Sequence, residues 1–85
     1  MTIRVALKLF ASLADYLPAG HRGNRLELDV DQGTTVADML QRYRVPERSA
    51  HLVLVNGLYV APAARAARRL EDGDELAAWP PIAGG

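Results

Sequence analysis

Only one stretch of this chain repeats its apolar residues with a helical period and runs long enough to cover a sheet. Val36, Met39, Leu40 and Tyr43 fall at i, i+3, i+4 and i+7, a single stripe along one side of a helix. Thr34 or Thr35 is placed to cap its start and Asp38 to favour its positive end. Pro46 sets the end near Arg44. Nearly every other apolar run alternates with a period of two. One helix must therefore serve several strands, which means a two-layer α+β domain.

The strands can be placed from their alternation. Ile3, Val5, Leu7 and Leu9 share one face of a first strand, with Arg4, Ala6, Lys8 and Phe10 on the other. Ser12 with Asp15 three residues on reads as a capping-box start for a short helix through Leu17, stopped by Pro18. Arg25 to Val30 alternates again, and Asp31-Gln32-Gly33 is turn chemistry. Leu52 to Val55, Asn56-Gly57 and Leu58 to Val60 form a hairpin signal with a type I′ turn. Ala63 to Arg69 has room for one or two helical turns. Glu71-Asp72-Gly73-Asp74 is a further turn, and Glu75 to Trp79 a last short strand. Strand–strand–helix–strand–strand order suggests, by analogy as well as by pattern, a β-grasp, with the first and last strands adjacent and parallel.

Composition narrows the function. Eighty-five residues make a single domain, expected over residues 1–79, with a tail over 80–85. Ten basic residues balance ten acidic ones, which gives no footprint for nucleic acid. Cysteine is absent, so no thiol nucleophile or zinc-thiolate site is available. No apolar run reaches the roughly 18 residues of a membrane span, and the N-terminus lacks a signal-peptide pattern. A soluble, cytoplasmic protein is the expectation. His21 and His51 have no partner pattern, so no metal site is expected.

The sequence closes on Trp79-Pro80-Pro81-Ile82-Ala83-Gly84-Gly85. Pro80 and Pro81 cannot donate ladder hydrogen bonds, so the sheet is expected to end at Trp79. Paired prolines favour extended geometry. From Pro80 to Gly85 the tail can reach about 20 Å, at ~3.3–3.6 Å per residue. Pro80, Pro81, Ile82, Ala83 and Gly84 would thread a narrow channel and present Gly85. A diglycine alone is equally what a frayed terminus looks like; the prolines, the turn and the short strand before it make the pattern more specific. A terminal carboxylate is ionised at neutral pH and a poor electrophile. To do acyl chemistry it must be activated, for instance as an acyl-adenylate. Gly20-His21-Arg22-Gly23 lacks the spacing and the lysine of a phosphate loop, so ATP and magnesium belong to a partner enzyme and no cofactor is expected on this chain.

These segments resemble the MoaD/ThiS sulfur-carrier family, whose members include the small subunit of molybdopterin synthase. The matching stretches are Leu7 to Leu13, Gly33 to Asp38, Val55-Asn56-Gly57, Leu70 to Leu76 and Pro80 to Gly85. The resemblance implies a ubiquitin-like β-grasp with a four- to five-stranded mixed sheet and one main helix. It implies a carrier rather than an enzyme. An E1-like adenylating enzyme of the MoeB/ThiF type would activate Gly85, and a persulfide donor would leave a Gly85 thiocarboxylate. The large subunit of molybdopterin synthase (MoaE type), or another acceptor enzyme, would receive the sulfur. Length and the Phe10-Ala11-Ser12-Leu13 stretch look more like the molybdopterin branch. A thiazole carrier, a ubiquitin-like modifier joined to lysines through Gly85, and an interaction domain with an inert tail are the other readings.

Phe10, Tyr59 and Trp79 fall on the outward phase of their strands. Three aromatics on a solvent face suggest a partner surface, in line with the family resemblance; cross-strand packing on an open face is the plainer account. Arg65, Arg68 and Arg69, opposite Glu71, Asp72, Asp74 and Glu75, read as a solvated loop with local ion pairs. Asp72 and Asp74 read as turn formers.

Overall fold

A computed structural model describes residues 1–81. The strands are β1 (Thr2–Leu9), β2 (Arg25–Asp31), β3 (Leu52–Val55), β4 (Leu58–Tyr59) and β5 (Glu75–Trp79), with one helix, α1 (Val36–Arg42). They form a five-stranded mixed sheet in the order β2-β1-β5-β3-β4. β1 and β5 run parallel at its centre, with Leu7 opposite Leu76 and Leu9 opposite Ala78; the other pairs are antiparallel. This is the expected β-grasp.

One core holds it together. Val5, Leu7 and Leu9 of β1 join Val53 and Val55 of β3, Leu76 and Ala78 of β5, and Val36, Met39 and Leu40 of α1. Aliphatic residues facing one way on every central strand make that face the one the helix can bury.

Every early donor of α1 has a partner, as a helix start requires. Thr35 is the N-cap: its hydroxyl accepts from the Asp38 amide at 3.1 Å, and the Asp38 carboxylate accepts from the Thr35 amide at 3.0 Å. The Val36 and Ala37 amides donate to the Arg68 and Arg65 carbonyls. The helix ends at Arg42 rather than near Arg44. Arg44 takes a left-handed φ of 60°, its amide donates to Gln41, and the Val45 amide donates to Leu40. That pair of bonds is the Schellman closure. The last helical residue thus lies two before Arg44, the left-handed turn falls at Arg44 itself, and buried Val45 and Leu40 seal it.

The first short helix also differs from expectation. It is a 3₁₀ turn over Ala11–Tyr16, preceded by Phe10, and no side chain caps it. Ser12 lies inside the turn, not before it. Ala11 has φ 51°, which bends the chain sharply off β1 and starts the turn one residue early. Leu13 and Leu17 are buried beneath it. Ala63 to Arg69 forms no α-helix; Pro62–Ala64 makes one 3₁₀ turn. The hairpin turn is as expected, with φ 52° at Asn56 and 82° at Gly57, the pair of positive values a type I′ turn needs. The return strand is short, Leu58–Tyr59.

Candidate functional site

The outer face of the sheet, opposite α1, carries the aromatic residues. Leu9 and Ala78 face the core, so their neighbours Phe10 and Trp79 face outward. The Phe10 amide donates to the Ala78 carbonyl at 3.0 Å, which holds the two strands in step just past the end of β1. The rings stack with centroids 4.1 Å apart and planes within 8°. Stacking of this kind contributes about 0.5–1.5 kcal/mol beyond the area it buries. The bend at Ala11 leaves Phe10 over Trp79 instead of following the chain away.

Across β5 the same row continues to Leu52, opposite Trp79 and 37% exposed. The next row runs Lys8, Ala77, Leu54, Tyr59. Tyr59 is 60% exposed and lies two strands from the Phe10–Trp79 pair. The structure thus brings Phe10 and Trp79 into contact and sets Tyr59 on the same face, with leucines between. Leu52 and Leu54 also belong to this surface, through their pairing with Trp79 and Ala77, and an all-apolar strand gives no sign of it in the sequence. Lys8, the only lysine of the chain, sits within it, its Nζ 3.5 Å from the Glu75 carboxylate.

The same strand end sets the exit of the tail. The Trp79 carbonyl accepts from the His51 amide at 2.9 Å, and β5 stops there. Pro80 and Pro81 then lie beside Ser12, Tyr16 and Ser49. The tail residues Ile82, Ala83, Gly84 and Gly85 fall outside the described residues.

Two acidic residues behave as turn formers. Asp74 is buried and takes the Asn56 side-chain amide at 2.8 Å and the Glu71 backbone amide at 2.8 Å. The Asn56 side-chain oxygen accepts from the Glu75 amide at 2.9 Å, so the hairpin turn is locked to the start of β5. Asp72 accepts from the Arg4 amide at 2.8 Å, tying the same loop to β1. Arg68 stands 3.9 Å from Asp74. Arg65 departs from the solvated-loop reading: it is 3% exposed, and its backbone carbonyl caps α1. The chain must turn inward there for that carbonyl to reach Ala37, and the side chain goes with it. Among the described residues no group of three potential metal ligands comes together, and no helix is long and apolar enough to cross a membrane.

Comparison with known proteins bears on this geometry. Residues 2–83 match the family model Mut7-C ubiquitin. No curated protein matches the chain. Among solved structures it is similar to the HVO 2177 protein of Haloferax volcanii (28% identity, 99% of this chain and 88% of the other, TM-score 0.76). It is also similar to small archaeal modifier protein SAMP1 of Haloferax volcanii (31% identity, 96% and 99% covered, TM-score 0.65). A Pyrococcus furiosus protein assigned as molybdopterin converting factor, subunit 1, shares the fold at 23% identity (94% and 99% covered, TM-score 0.64). The family match over residues 2–83, nearly the whole chain, together with the five-stranded ubiquitin-like sheet, places this chain in the Mut7-C ubiquitin family of ubiquitin-like β-grasp proteins.

Proposed function

We propose that the chain is a sulfur carrier that works through Gly85, and that its outer sheet face seats the partners that act on that residue. The observation that carries this reading is the joining of two features at one strand end. The Phe10–Trp79 stack occupies the face, and Pro80 leaves the sheet from the very residue that forms the stack. A protein that grips the face is thereby positioned to receive whatever follows Pro81.

The chemistry is supplied by those partners. An E1-like enzyme directs the Gly85 carboxylate at the α-phosphorus of ATP; pyrophosphate leaves and an acyl-adenylate forms. The terminal sulfur of a persulfide attacks the acyl carbon and AMP leaves. A second thiol then cleaves the sulfur–sulfur bond, releasing a Gly85 thiocarboxylate and a disulfide. The favoured destination of the sulfur is molybdopterin synthesis, through a large synthase subunit. Mixing thiocarboxylated chain with that subunit and its precursor tests the destination: dithiolene product with consumption of the thiocarboxylate supports it, and an unconsumed thiocarboxylate contradicts it.

A second reading is supported by the similarity to small archaeal modifier protein 1. Here a lysine amine on a target protein, instead of sulfur, attacks the acyl-adenylate and expels AMP, leaving an isopeptide bond. Lysine-linked conjugates in extract, absent when Gly85 is deleted, would favour this route.

A further inference from the structure

Arg65 is a buried charge without a described counter-charge. A guanidinium stays protonated at any physiological pH, so burial cannot neutralise it. A buried charge is costly unless it is paired and hydrogen-bonded. Of its five donor hydrogens, the described structure engages one, through a long 3.4 Å bond from Nη2 to the His51 carbonyl. Nε is buried and has no partner. The ion pairs among the described residues use Arg4, Lys8, Arg25 and Arg68, not Arg65.

Arg65 lies at the border of two adjoining surface depressions that share Glu47, Pro62 and Arg65 itself. The first adds Arg48 and His51 to its wall. The second is mostly apolar, with Leu40, Val45 and Ala66. One carboxylate, Glu47, lines the same depression as Arg48, Arg65 and His51, and no described ion pair joins it to either arginine. The sparing exposure of Arg65 means that the accessible part of its side chain is confined to these depressions.

We propose that this cleft is an oxyanion-binding site, with the Arg65 guanidinium as its fixed donor and Arg48 and His51 as its rim. The ligand class is a small oxyanion, whether free phosphate or the carboxylate of a partner's side chain. Bound there, it supplies an acceptor to the guanidinium nitrogens that open on the cleft, beyond the long bond from Nη2 to the His51 carbonyl; Nε itself is closed to solvent. A charge-assisted, fork-shaped contact of this kind is what guanidinium geometry favours. The site is distinct from the Gly85 chemistry and stands or falls without it.

The test is a ¹H–¹⁵N NMR titration of the full chain with sodium phosphate, and separately with sodium acetate, at ionic strength held constant with sodium chloride. The Arg65 Nε–H and the Arg48 and His51 amides are followed. Saturable shifts are expected, and Arg65→Gln should weaken binding about tenfold or more. Saturation by phosphate alone assigns the site to a multiply charged free anion; equal saturation by acetate assigns it to a carboxylate. Glu47→Gln removes the competing negative charge and should tighten binding. Should Arg65→Gln fail to fold, wild-type thermal stability carries the test: the midpoint should rise with the anion above the chloride control. No saturable shift with either anion overturns the site, as do shifts that survive Arg65→Gln. An Arg65 Nε–H resonance displaced by Glu47→Gln without any anion also overturns it, because Glu47 would then be the partner.

Discussion

The two faces of the sheet are built from different materials. The inner face is aliphatic and sealed: Leu7, Leu9, Val53, Val55, Leu76 and Ala78 are each at most 1% exposed beneath α1. Among the described residues no element covers the outer face, which carries an aromatic stack, two leucines, Tyr59 and Lys8. Alternation puts both faces on the same five strands, so a residue and its neighbour serve different ends. Leu9 and Ala78 hold the fold, while Phe10 and Trp79, one position on, stack half-buried on the opposite face. A small domain with one helix can bury only one side of its sheet, and the other side is then available as an interface.

That contrast can be broken most severely from the inside. Leu9→Ala empties a site with no exposure and should cost about 2–5 kcal/mol in chemical denaturation. The outer face should respond in the opposite sense. Trp79→Ala should weaken binding to an activating or acceptor partner by about 2 kcal/mol or more, the range of an interface hot spot, measured by calorimetry. Its stability cost should be smaller than that of Leu9→Ala, because Trp79 is only half-buried whereas Leu9 is fully enclosed. Equal loss of stability in the two variants would erase the distinction between the faces. Tyr59→Ala, at an exposed edge, should shift stability by no more than about 0.5 kcal/mol while still weakening the partner complex.

Away from both faces, the loop beside β5 and the end of α1 should respond independently of the contrast. Asp74→Ala strips the Asn56 amide of its partner and should cost about 1–3 kcal/mol, seen as a lower unfolding midpoint and loosened amide protection in the hairpin turn. Arg44→Gly relieves a left-handed backbone angle at the end of α1 and should stabilise by a few tenths to about 1 kcal/mol; a loss of stability would mean the arginine side chain contributes more than its backbone strain removes.

Most of the architecture was legible because its signals are local. The β1 alternation, a threonine cap with Asp38 in the first turn of α1, and Asn56-Gly57 each specify their own backbone; which threonine caps, and the reciprocal bond from Asp38, come from the structure. What stayed hidden depends on distant residues. Leu52-Val53-Leu54-Val55 is apolar at every position, so periodicity cannot tell its inner phase from its outer; pairing of Leu52 with Trp79 decides it. The positive φ at Ala11 and Arg44 leaves no mark in residue types that normally avoid it. The charges around Arg65 in the sequence point to solvent, whereas the Ala37 amide at the start of α1 takes the Arg65 carbonyl and draws the segment inward. The Phe10–Trp79 part of the candidate surface followed from phase alone.

The central claim is that the chain carries sulfur on its own C-terminus, and intact mass tests it most directly. Purified chain is incubated with its E1-like enzyme, ATP, magnesium and a persulfide donor, beside a variant lacking Gly85. The account predicts a mass gain equal to replacing one oxygen by sulfur in the full chain and none in the variant. An unchanged mass under conditions that charge a related carrier, or the same gain in the variant lacking Gly85, would contradict it.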